Sequence, residues 1–71
     1  MKDKRKNFEK LAVHRVEQAV HYIELIGNLS NTRDYEYTED DVRKIRKALD
    51  DAKKAMEERF RNKISRTKFT L

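Results

Sequence analysis

Four residues carry the spacing of a metal site. His14, Glu17, His21 and Glu24 recur at intervals of 3, 4 and 3. On a helix that rhythm places two imidazoles and two carboxylates on one face, as bundle metalloproteins do. The order is His before Glu, the reverse of the usual di-metal motif. In the heptad register this face also lies opposite the apolar residues. The expectation is a solvated ladder of polar groups and no metal.

A second group could bind an anion. Arg33, Tyr35 and Tyr37 crowd into one short segment. Tyrosine faces stack on bases and guanidinium groups hold phosphates. Asp34 and Glu36 flank the tyrosines and oppose an anion there. A third group is basic. Residues 59–71 hold Arg59, Arg61, Lys63, Arg66 and Lys68 with no acid, a net charge of +5. Residues 1–10 add a net +3, with Lys2, Lys4, Arg5, Lys6 and Lys10 against Asp3 and Glu9. Residues 27–41 run the other way, with Arg33 alone against five acids. A basic end of this kind attracts polyanions. The candidate ligand residues are therefore Arg33, Tyr35, Tyr37, Arg59, Arg61 and Lys63.

Catalysis has little to stand on. There is no cysteine and no Gly-rich phosphate loop, and neither Ser30 nor Ser65 has a histidine nearby in sequence. No cofactor is expected. The reading is a binding protein rather than an enzyme.

These groups must be positioned by helices. Proline is absent and glycine occurs once, so long helices meet few breakers. Ala12, Val16, Ala19, Ile23 and Ile26 recur at 4, 3, 4 and 3, a heptad seam. Val13, Val20 and Phe8 widen it. A first helix is predicted over about 4–26, with Gly27 as a left-handed C-terminal cap. Thr38 is the predicted N-cap of a second helix. Asp41 stands three residues on as the acid of a capping box, and Tyr37 and Val42 occupy hydrophobic-staple positions. Val42, Ile45, Leu49, Ala52 and Met56 form its seam, and Phe60 and Ile64 extend it at looser spacing. That helix is predicted over about 39–64. Glu39–Arg43, Asp40–Lys44, Asp50–Lys54 and Glu57–Arg61 are acid-first pairs at i,i+4.

The connection 27–37 is long for a helix–helix loop. Asn28, Ser30, Asn31 and Asp34 can bond their own backbone, so an ordered loop is expected. The tail 65–71 breaks the helical pattern. It either frays or docks Phe69 and Leu71 on a neighbour.

Residues 1–71 thus read as one all-α domain, a two-helix antiparallel hairpin. Two helices cannot enclose a core between them. The hairpin is expected to assemble with copies of itself, as a dimer or higher oligomer, into a helical bundle. No stretch has the roughly 20 apolar residues of a membrane span, and no signal-like run follows the charged N-terminus. A cytoplasmic protein without membrane contact is expected.

The stretch Ile23–Asn31, Ile-Glu-Leu-Ile-Gly-Asn-Leu-Ser-Asn, and the stretch Tyr35–Val42, Tyr-Glu-Tyr-Thr-Glu-Asp-Asp-Val, resemble those of small uncharacterised helical proteins encoded by phages, plasmids and other mobile elements. The resemblance covers about half the chain, from Arg15 to Leu49. It implies a setting and assigns no residue a role. Small proteins of that setting often act by stoichiometric binding. The expected function is sequestration of an anionic, nucleotide-type immune signal by a homo-oligomer in the host cytoplasm. The alternatives are inhibition of a host defence enzyme and direct binding of nucleic acid.

Overall fold

The computed structural model describes residues 3–65. It is all-helical, with two helices and no strand among the described residues. α1 spans Lys4–Asn28 and α2 spans Glu39–Ser65. The chain divides between Glu36 and Tyr37 into two compact units. One is α1 with the loop that follows it. The other is α2 with its capping residues. Lys2 and the end of the chain, with Arg66, Lys68, Phe69 and Leu71, lie outside the described residues.

α1 starts at a cap that the residue pattern had not flagged. Asp3 is extended, and its carboxylate accepts the Lys6 backbone N–H at 3.0 Å. That satisfies one of the orphan donors of the first turn. Arg5 then pairs with Glu9 at 3.1 Å, and its guanidinium stands 5.7 Å from the Phe8 ring centre.

The other end of α1 corrects an expectation. Gly27 does not leave the helix in the left-handed region. No residue among those described has a positive φ, and the helix runs through Gly27 to Asn28. Leu29 keeps right-handed angles, φ −71° and ψ −7°. Its N–H bonds the Ile26 carbonyl at 3.0 Å, and the Ser30 N–H bonds the Gly27 carbonyl at 3.1 Å. These tightened i→i−3 bonds use the carbonyls that a left-handed cap would otherwise satisfy.

α2 begins as its sequence requires. The Thr38 hydroxyl accepts the Asp41 N–H at 3.1 Å, and the Asp41 carboxylate accepts the Thr38 N–H at 2.9 Å. This reciprocal pair is a capping box with Asp in the acid position. Asp40 takes Lys44 at 3.4 Å, as the i,i+4 spacing predicts, and also Arg43 at 3.6 Å. Arg43 therefore turns to Asp40 rather than Glu39. All of these groups are exposed, and such pairs contribute about 0–1 kcal/mol each.

Neither helix can cover its own apolar stripe. Among the described residues none is buried. Val16 is 59% exposed and Leu49 36%. No helix among them is long and apolar enough to cross a membrane.

Candidate functional site

The loop after α1 is organised by Asn31. Its side-chain oxygen accepts the Arg33 N–H at 3.0 Å, and its amide donates to the Asp34 carboxylate at 3.0 Å. Its backbone carbonyl receives the N–H groups of Asp34 and Tyr35, at 3.2 and 3.0 Å. This is an Asx-type turn, which the cluster of short polar residues foreshadowed. Arg33 and Tyr35 thus stand on a defined turn. The carboxylate of Asp34 is engaged by Asn31 within that turn.

Tyr37 belongs to the second unit. With Thr38, Glu39, Val42, Arg43 and Arg46 it lines an open recess of about 370 Å³ at the start of α2. Residue types had singled out Tyr37 but not Arg43 and Arg46. The signal was present. Arg46 is four residues after Val42, so it shares the side of α2 that Val42 occupies. Glu39 lines the same recess and Asp40 holds Arg43, so the charge there is mixed.

A second recess, of about 340 Å³, lies near the far end of α2 between Met56, Arg59, Phe60 and Lys63. Two cations bracket an aromatic ring and a thioether, and no acid lines it. This is the better match to an anion with an apolar or aromatic part. Arg59 and Lys63 are four residues apart and share a side of the helix. Arg61 does not. At about 100° per residue it points roughly 200° away from Arg59.

Tyr37 and Arg59 are also far apart. At about 1.5 Å per residue, α2 separates them by roughly 30 Å. A ligand touching both Tyr37 and the Arg59–Lys63 recess must therefore draw on more than one copy of α2.

No family model, no curated protein and no solved structure matches this chain. The residues themselves carry the functional argument. His14, Glu17, His21 and Glu24 lie along one side of α1, and the His21 ring tilts against Tyr22 at 5.9 Å between centres. Among the described residues no group of three or more His and acidic side chains is placed to hold a metal ion.

The Asp41 carboxyl is held below its ordinary value of 3.8. The main cause is the hydrogen bond from the Thr38 backbone N–H, followed by the Thr38 side chain and the charge of Lys44. Each favours the ionised form. The shift therefore reports the cap, not a catalytic acid.

Proposed function

We propose that this chain is a non-catalytic binding protein that completes its core only in an assembly of its own copies. The assembly holds an anionic, nucleotide-type ligand at its basic ends. The observation that carries the reading is the match between the two apolar seams, neither of which has a buried residue on the helices as they stand.

Folded back antiparallel, α1 and α2 align without a slip. Ile26 opposes Val42, Ile23 opposes Ile45, Ala19 opposes Leu49, Val16 opposes Ala52 and Ala12 opposes Met56. Small residues repeatedly meet large ones, as interdigitated layers require. The same register sets Glu9 against Arg59 and Arg5 against Lys63. Outside the seam, Tyr22 comes beside Ala48 and Arg15 beside Ala55. This supports the hairpin. It still leaves the rest of α1's apolar surface open, so hairpins must associate.

At the far end of the hairpin the register gathers Arg5, Arg59 and Lys63 against one carboxylate, Glu9. An anion there neutralises the surplus, with Phe60 as the stacking face. The resemblance to mobile-element proteins suggests a nucleotide signal of host defence as that anion.

Two measurements test the reading. Sedimentation should give a multiple of the 8.6 kDa chain, and helical circular dichroism should fall on dilution. A folded monomer at micromolar concentration removes the assembly. Calorimetry against cyclic and linear nucleotides tests the ligand. Silence across the panel removes that part. A gel shift whose strength falls steeply with salt would transfer the site to nucleic acid.

A further inference from the structure

We infer that the recess formed by Met56, Arg59, Phe60 and Lys63 reads the base of its ligand as well as the phosphate, and selects a 6-oxopurine nucleotide. This rests on the ligand reading above and narrows it. All four residues belong to α2.

Donors and acceptors decide what the recess can recognise. Arginine offers five N–H donors and lysine three, and neither accepts a hydrogen bond. The Phe60 ring offers no conventional partner, and the Met56 thioether accepts only weakly. Carbonyls within a helix are held by the helix's own N–H groups. The recess is therefore a donor surface around an apolar patch. A ligand must face it with acceptors, because a ligand donor there would be left unpaired. The acids nearest in sequence do not alter this. Glu57 and Glu58 line no part of the recess. The helical turn directs both roughly 100° or more away from Arg59 and Lys63. Glu9, which the hairpin register above sets against Arg59, already accepts from Arg5 at 3.1 Å.

The recess at the start of α2 is different. It holds Arg43 and Arg46, but also the Glu39 carboxylate and the Tyr37 and Thr38 hydroxyls. It mixes acceptors with donors, and Asp40 holds Arg43 at 3.6 Å. Among the described residues neither Arg59 nor Lys63 pairs with an acid.

The two cations differ in what they fit. They lie four residues apart, about 6 Å along one side of α2. A guanidinium is a planar fork that matches paired acceptors, and an ammonium is a point charge. Lys63 takes the phosphate. Arg59 takes a base edge with two adjacent acceptors. Phe60, 50% exposed, receives the face of the base. Guanine and hypoxanthine present such an edge through O6 and N7. Adenine keeps N7 but carries an amino donor in place of O6, and that donor would meet the guanidinium with no partner.

Calorimetry on the full chain at low salt tests this with guanosine, inosine and adenosine monophosphates and with inorganic phosphate. The guanosine and inosine nucleotides should bind alike, each about fivefold or more tighter than the adenosine nucleotide. Inorganic phosphate should bind weakest. Arg59→Lys keeps the charge and loses the fork, so the guanosine nucleotide should fall to the level of the adenosine one. Arg59→Gln should weaken binding more than Arg61→Gln. Helical circular dichroism checks that each variant folds. Equal binding of the guanosine and adenosine nucleotides by the unaltered chain would overturn the inference and leave the nucleotide reading standing. A preference that survives Arg59→Lys would overturn it too, as would equal losses for Arg59→Gln and Arg61→Gln. No binding of any nucleotide would overturn the ligand reading itself.

Discussion

The two helices have nearly the same length and opposite characters. α1 carries apolar residues around about 240° of its circumference, from Leu25 round to Val13, interrupted by Arg15 and Gln18. α2 confines Val42, Ile45, Leu49, Ala52, Met56 and Phe60 to about 100°. A stripe of that width is satisfied by one neighbour. An arc as wide as that of α1 needs at least two. Charge follows the same division. α2 begins with Glu39, Asp40 and Asp41 and ends with Lys63 in its last turn, so its charges oppose its dipole ends. α1 has no acid in its first turn and no base in its last. Its local support is the Asp3 cap and the Arg5–Glu9 pair. The difference teaches that α2 carries its helix signals locally, whereas α1 carries a wider apolar surface than one neighbour covers.

The largest effects should separate the helices by what they bury. Ile23→Ala on α1 and Leu49→Ala on α2 each remove a seam residue, at about 2–5 kcal/mol if the seam is dry. Both should lower the melting temperature and shift the assembly toward monomer. Leu25→Ala, outside the hairpin seam, should weaken association more than it weakens helix content. Equal loss of both, by sedimentation and circular dichroism, would break the contrast.

A smaller effect isolates the local stability of α2. Thr38→Ala deletes the hydroxyl that accepts the Asp41 N–H, and lost N-caps cost about 0.5–2 kcal/mol. Amide exchange should quicken in the first turn of α2 and leave α1 unchanged.

The smallest stability effect tests α1 and has the opposite sign. Gly27 is helical, and a Cβ there meets nothing within 4 Å. Gly27→Ala should therefore stabilise by about 0.5–1 kcal/mol, read as a higher melting temperature. A loss instead would show that a partner packs closely on Gly27 in the assembly.

Acid offers a graded version of the cap test. Asp41 titrates below 3.8 in the folded chain. Its contribution is present above the unfolded carboxylate value and disappears as pH falls through the lower folded one. The Thr38 amide resonance should report that loss, and Asp41→Asn should flatten its titration.

Much of this was legible beforehand because the signals are short-range. The cap at Thr38, the turn at Asn31 and both seams rest on residues at most four positions from their partners. The Asp3 cap was equally local and simply lacked a paired acid at the third helical position, where Lys6 stands. The candidate ligand residues depend on side-chain direction as well as on residue type. Residue type singled out Arg61 with Arg59 and Lys63, but side-chain direction, set by the 3.6-residue turn, divides them. The same turn sets Arg46 beside Val42 and Phe60 between two cations.

The sequence by itself determined that there are two helices, where α2 starts and which faces are apolar, since each follows from periodicity and from bonds to near neighbours. Only the structure decided how α1 ends. A glycine permits a left-handed exit without requiring it. The choice depended on which N–H groups reached the last carbonyls, and Leu29 and Ser30 reached them from right-handed angles. That outcome keeps Leu29 in line with Leu25 on the side of α1.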